Sequence, residues 1–380
     1  MKVLFVVPWG EALGGAERRL TTILRNVDRA RVQPRVVFLA NGSWVEEVAA
    51  LGIPVCVIVS GRLRHARRFV TTVRRISLEI RRERPDLIVN WSAKMQLYGG
   101  LAAALAGAGD RTIWWQLNIS TREWLDRVAT LVPARAVACS SFAAAEAQEK
   151  LRPRRETFVV HPGIEPPPVA STPALEALRA GLEIPPERTI VGIVGRLQPW
   201  KRQHLLLGAV ARLVEGGRDV HALVVGGTPY GFSPDYPAQL RRLVDDRGLD
   251  GRATFTDHVD EPGPYVQLMD VFVNASAAEP FGIVLLEAMA LARPVVAYDR
   301  GGPREIVESG VSGLLLPEGG ETGLADALDE LVRDPALRRR LGEAGRARFE
   351  DLFTAERMVA RLTEEFERLH GRGASTGRPT

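Results

Sequence analysis

The chain has 380 residues, of which 46% are hydrophobic and 25% charged, so it is too long for one hydrophobic core and too ordinary in composition for disorder or a fibre. A net charge of +4, with arginine outnumbering lysine, is too mild to mark a nucleic-acid binder. The opening run Met1–Pro8 has no cleavage pattern, and no stretch approaches the ~20 apolar residues of a membrane span, so a cytoplasmic protein is expected.

The first half alternates short aliphatic runs with helical patterns. Val3–Val7, Arg35–Leu39, Val55–Val59, Leu87–Asn90, Thr112–Trp115, Ala136–Cys139 and Phe158–His161 read as buried strands. Cys56 and Cys139 lie within these runs and read as buried free thiols. Between the first two strands, Leu20, Ile23, Leu24 and Val27 mark one face of a helix over Gly14–Arg29. A stiff proline-rich connector follows at Pro162–Pro168, and the alternation restarts. Strands are expected at Thr189–Gly195, Val220–Gly226, Ala253–Thr256, Val271–Asn274, Pro294–Tyr298 and Gly313–Leu316. Helices are expected at Arg202–Glu215, Pro237–Asp246, Ile283–Ala290 and Pro303–Ser309, and the end of the chain, Arg346–His370 included, reads as helical.

This order predicts an α/β chain of two Rossmann-like doubly wound domains, with ligand at the carboxyl ends of the strands. The domains are placed at 1–165 and 166–354. A helix over 355–371 is expected to pack back on the first, and 372–380 to form a disordered tail.

Three stretches carry chemistry. The first strand leads into Gly14-Gly15, a glycine pair ahead of a helix that lets backbone amides approach a phosphate or only allows tight packing. Its spacing is not that of a dinucleotide fingerprint, and the next strand ends Leu39-Ala40-Asn41 without the acid that holds an NAD ribose, which disfavours a dehydrogenase. The strand at Thr189–Gly195 runs into Arg196 and Lys201, two cations able to clamp a diphosphate. Glu279-Pro280-Phe281-Gly282 then precedes a helix that starts at about Gly282 and carries Glu287, eight residues beyond Glu279. The unpaired N–H groups at such a start make an anion site, with a carboxylate on either side.

Together these motifs resemble a family 4 retaining glycosyltransferase of the GT-B fold. The resemblance rests on Gly14-Gly15, Gly195-Arg196-Leu197 with Lys201, Gly226-Gly227, Glu279 through Glu287-Ala288-Met289, Arg293-Pro294 and Gly301-Gly302-Pro303-Arg304-Glu305, in that order. It implies two domains facing a cleft, and an enzyme that moves a sugar from a nucleoside diphosphate sugar to an acceptor hydroxyl with retention. Arg196 and Lys201 would hold the diphosphate. Glu279 would bind the transferred sugar, supported by amides near Phe281, Gly282 and Ile283, and Glu287 would take the ribose. His258 and Val259 would face the base, while Gly14 and Gly15 would touch phosphate from the other domain. The favoured mechanism lets the leaving phosphate deprotonate the acceptor.

Partners are then a small-molecule donor and acceptor, with no nucleic acid and no cofactor beyond the donor; nothing sets an oligomeric state. No Asp-x-Asp occurs, and His161, His204, His221 and His258 show no ligand spacing, so no metal is expected. The resemblance departs in two places, mildly at Ala292, where a glycine is usual before Arg293 and local packing is the reading, and more seriously on the acceptor side. The histidine usual after the strand at Thr112–Trp115 is missing, and either Gln116 or Leu117 stands there, with Asn118 close by. Gln116 and Asn118 are candidate substitutes on the acceptor side. Trp9, Trp91, Trp114 and Trp115 serve either acceptor stacking or the core. Arg62–Arg84 carries nine arginines around Phe69, Val73, Ile76 and Ile80. A solvated helix face is preferred there over docking on anionic lipid. The rival functions are a non-catalytic nucleotide-sugar binder, a nucleotide-sugar epimerase and a C–N-forming relative.

Overall fold

The computed structural model describes residues 1–12, 14–61, 65–120, 124–152, 155–228 and 233–375. Arg62 and Arg64 of the arginine-rich stretch lie outside them. The chain divides into two compact units, Met1–Gly163 with Ala355–Thr380, and Ile164–Thr354.

Among the described residues, the N-terminal unit is built on a seven-stranded sheet. Its strands are β1 (Lys2–Val7), β2 (Gln33–Phe38), β3 (Val55–Val57), β4 (Leu87–Trp91), β5 (Thr112–Gln116), β6 (Ala136–Cys139) and β7 (Glu156–Val159). All pairings are parallel, and the order is β3-β2-β1-β4-β5-β6-β7. Parallel strands need crossovers, and the helices that supply them cover both faces, which is why the strands read as unbroken apolar runs. On one face Phe5, Val89, Trp91 and Trp115 pack with Leu20, Ile23 and Leu24 of the helix Gly15–Asn26. On the other, Leu4, Val6 and Ile88 meet Ile76 and Ile80 of the helix Ala66–Glu83. Arg67, Arg68, Arg74, Arg75, Arg81 and Arg82 of that helix are exposed. β3 is an edge strand covered less completely, so Cys56 is only partly buried, contrary to the sequence expectation, whereas Cys139 is buried; both are free.

The C-terminal unit holds β8 (Thr189–Val194), β9 (Val220–Val225), β10 (Ala253–Phe255), β11 (Val271–Asn274), β12 (Val295–Tyr298) and β13 (Leu314–Leu316). Its described strands form a six-stranded parallel sheet in the order β10-β9-β8-β11-β12-β13. The direction of winding reverses between β8 and β11, as it does between β1 and β4 in the other unit. Loops leaving the carboxyl ends of two such neighbours diverge and leave a crevice.

The helical end of the chain is two helices, Pro335–Leu352 and Ala355–Ser375, and the second begins where the helix over 355–371 was expected. Phe353 breaks them: it is 2% exposed and packs edge-on to Phe281, while its carbonyl accepts from Ile164 N–H at 3.0 Å. The last helix then seats Met358, Leu362 and Phe366 in the core of the N-terminal unit. Arg31–Glu367 and Arg368–Glu156 ion pairs flank it at 2.8 and 3.1 Å. It continues to Ser375, into the stretch expected to be tail.

His221 on β9 is buried, and its Nε2 lies 2.8 Å from Thr254 Oγ1. Burial, with Arg188, Arg179 and Arg252 nearby, lowers its pKa from 6.5 to about 4. The unfolded chain therefore takes up this proton first on acidification, and stability is lost as pH falls from about 6.5 toward about 4. His221→Phe is expected to flatten that part of the pH–stability curve measured by urea unfolding. Equal slopes for both proteins would show that His221 does not titrate on unfolding.

Candidate active site

The reversal between β8 and β11 gathers the charged residues of the C-terminal unit. The chain leaving β8 carries Arg196, makes a short turn over Pro199–Lys201, and enters the helix Gln203–Glu215. The chain leaving β11 carries Ser276 and Glu279 before the helix Ile283–Ala290. Because β8 and β11 are hydrogen-bonded neighbours, residues 78 apart in sequence meet: Lys201 Nζ lies 2.6 Å from Glu279 Oε2. Both side chains are largely buried, at 13% and 10% exposure.

The pair is held from several sides. Ser276 Oγ donates to the same Glu279 oxygen at 3.1 Å, and Asn274 Oδ1 accepts from Ser276 N–H at 3.1 Å. Lys201 Nζ stands 4.3 Å from the centre of the Trp200 ring, and Trp200 O accepts from Ala277 N–H at 2.8 Å. The Glu279 carbonyl accepts from Gly302 N–H at 3.0 Å. A Cβ on Gly302 would lie 2.1 Å from Phe281 Cα, so only glycine allows these two loops to approach. Arg196 O accepts from Gln203 Nε2 at 2.9 Å, which fixes the start of the cationic loop.

Gly282 caps the helix Ile283–Ala290 with φ 112° and brings no side chain to its first N–H groups. The expected helix start is thus found beside Glu279, with Phe281 buried beneath it. Glu287 is a turn further in and half-buried. His258 and Val259 follow β10, two strands from β8; the His258 side chain is exposed and 3.4 Å from Asp260, and Val259 packs on the core.

In the N-terminal unit, Gly14 is the N-cap of the helix Gly15–Asn26 and Gly15 its first residue. Gln116 is the last residue of β5, opposite Cys139, and is buried. Leu117 follows the strand and packs on the core, while Asn118 is exposed. Trp91, Trp114 and Trp115 are core residues, and Trp9 is 46% exposed.

The motif reading overlooked Ser276 and Asn274. Asn274 had a signal, a polar residue ending an otherwise apolar buried strand; its Nδ2 is buried without a hydrogen-bond partner among the described residues. Ser276 had none, since its value comes from the position of Glu279. Among the described residues no group of three or more His, Cys, Asp or Glu converges as a metal site. No helix among them is long and apolar enough to cross a membrane.

Comparison with known proteins agrees with this layout. The profile "Glycosyltransferase Family 4" matches residues 13–166, and "Glycosyl transferases group 1" matches 175–348. The chain belongs to glycosyltransferase family 4. It is a transferase of the GT-B fold. It is 27% identical to the lipopolysaccharide core biosynthesis glycosyltransferase LpsE of Rhizobium meliloti, over 90% of this chain and 93% of that one. A D-inositol 3-phosphate glycosyltransferase of Mycolicibacterium smegmatis is 35% identical over 58% of this chain, a match that spans 51% of that relative. The crystal structure of Anabaena HepE with UDP superimposes with a TM-score of 0.82 at 26% identity, covering 97% of this chain and 100% of the other. The same protein has been solved with UDP-glucose.

A buried ion pair is costly to break because the remaining charge is stranded. Lys201→Met is expected to lower the unfolding free energy by about 3 kcal/mol. Lys201→Met/Glu279→Gln should recover most of that loss in urea unfolding. Additive losses in this double-mutant cycle would show that the two side chains are not coupled.

Proposed function

We propose that this glycosyltransferase moves a sugar from a uridine diphosphate sugar to an acceptor hydroxyl, with retention and without a metal. The Lys201–Glu279 pair beside β8 and β11 carries the reading. It puts a cation suited to phosphate next to a carboxylate suited to sugar hydroxyls, at the start of a helix whose first amides favour an anion. Arg196 and Lys201 neutralise the diphosphate as charge builds on the leaving oxygen, which is the task a metal performs elsewhere. Glu279 grips the sugar, Glu287 takes the ribose, and the turn at His258 and Val259 meets the base. The choice of uridine follows the Anabaena protein and its UDP complexes. The relative that acts in lipopolysaccharide core biosynthesis favours a saccharide acceptor.

Glu279 Oε2 already accepts from Lys201 and Ser276, which suits a fixed binding group better than a nucleophile. A retaining glycosidase pair would need two carboxylates about 5 Å apart at the reacting carbon, whereas Glu287 lies further along the helix. The leaving phosphate oxygen is then the base that takes the acceptor proton, on the same face of the sugar.

The test is kinetic. Glu279→Gln should lower turnover of UDP-glucose, read as UDP release, by about a hundredfold. Its donor affinity should change far less. Turnover should persist in EDTA, and the product should keep the donor's anomeric configuration by NMR. UDP-sugar binding with no UDP release, even by slow hydrolysis, would make the chain a binder. An unchanged rate for Glu279→Gln would remove that residue from the site.

A further inference from the structure

The N-terminal unit contains a charged group that the donor chemistry leaves unused. Arg19, in the helix Gly15–Asn26, is 6% exposed, and its guanidinium carbon stands 5.8 Å from the centre of the Trp115 ring near the carboxyl end of β5. Its Nε and Nη1 are buried and have no hydrogen-bond partner among the described residues. Burial lowers its pKa to about 9, which leaves it cationic at neutral pH. Cys139 lies near it, but burial raises that thiol to about 12, so at neutral pH it is uncharged and does not balance the guanidinium. No described carboxylate compensates it.

The surroundings repeat the pattern. Trp91 and Trp115, with rings 4.5 Å apart, share the sheet face that this helix covers, and neither indole N–H has a hydrogen-bond partner among the described residues. Ser140, directly after β6, is buried, and its Oγ has no hydrogen-bond partner among the described residues. An indole N–H can only donate, and a guanidinium can only donate. Unmatched donors with a buried positive charge are the complement of an oxyanion. Gln116 ends the same strand, directly after Trp115, and Leu117 and Asn118 follow it.

We propose that Arg19 recognises an oxyanion, a phosphate or a carboxylate, carried by the acceptor. This rests on the glycosyltransferase reading above and names its acceptor class. Arg19 is a binding residue, and it is the cation that an acidic acceptor would meet at the β5 edge.

Thermal unfolding of the full chain at constant ionic strength tests it, with inorganic phosphate and acetate as separate probes, each with and without saturating UDP. At about ten times its Kd, the better probe should raise the wild-type Tm by about 2 to 4 °C, with UDP present or absent. The stronger of the two probes identifies the acid. Arg19→Met should lose this response, keep its response to UDP, and unfold no earlier than wild type in phosphate-free buffer, because it removes an uncompensated buried charge. Arg19→Lys should keep part of the response. A wild type indifferent to both anions, a full response in Arg19→Met, or an Arg19→Met that fails to fold would each overturn the proposal. The UDP response itself reports on the donor site, so loss of that reading is seen separately.

Discussion

The Lys201–Glu279 ion pair sets what the C-terminal unit must be. Two segments far apart in sequence have to end 2.6 Å from each other, and adjacent parallel strands with diverging loops achieve it. The surrounding residues follow from that demand. Ser276 shares the carboxylate, Trp200 lies against the ammonium and fixes the facing loop through its carbonyl, and Gly302 fastens the backbone of Glu279. A buried ion pair of this kind is seldom a net source of stability, since desolvation offsets most of the attraction. Its placement at the strand reversal accords with a binding role rather than a structural one.

Much of the fold was legible because parallel strands buried on both faces leave continuous apolar runs, and the crossover helices leave periodic ones. Ala136–Cys139 and Val271–Asn274 were read to the residue. The helix after Gly282 was readable because proline and glycine mark its entry. What failed depended on tertiary packing. The helix expected over 355–371 packs on the N-terminal unit through Met358, Leu362 and Phe366, but the polar residues after it gave no sign that it runs on to Ser375. Cys56 sits in an apolar run, yet its strand is at an edge.

The site divides in the same way. Arg196, Lys201, Glu279 and Gly282 stand out because their residue types are unusual at strand ends and helix starts. Asn274 and Ser276 do not, since their role is to hold another residue. Arg19 was hidden for a different reason: in an arginine-rich chain one more arginine on a helix reads as solvated. Only its burial beside Trp115 sets it apart. The two units thus treat charge differently, the C-terminal one pairing its buried cation and the N-terminal one leaving Arg19 uncompensated among the described residues.

Calorimetric titration of UDP into wild type and into Lys201→Met/Glu279→Gln tests the central claim most directly, because the double variant removes both charges together and strands neither. If the pair forms the donor site, the variant should bind UDP at least about thirtyfold more weakly, the loss expected for a desolvated phosphate contact of about 2 kcal/mol. Equal affinity in the two proteins would place the nucleotide elsewhere and contradict the account.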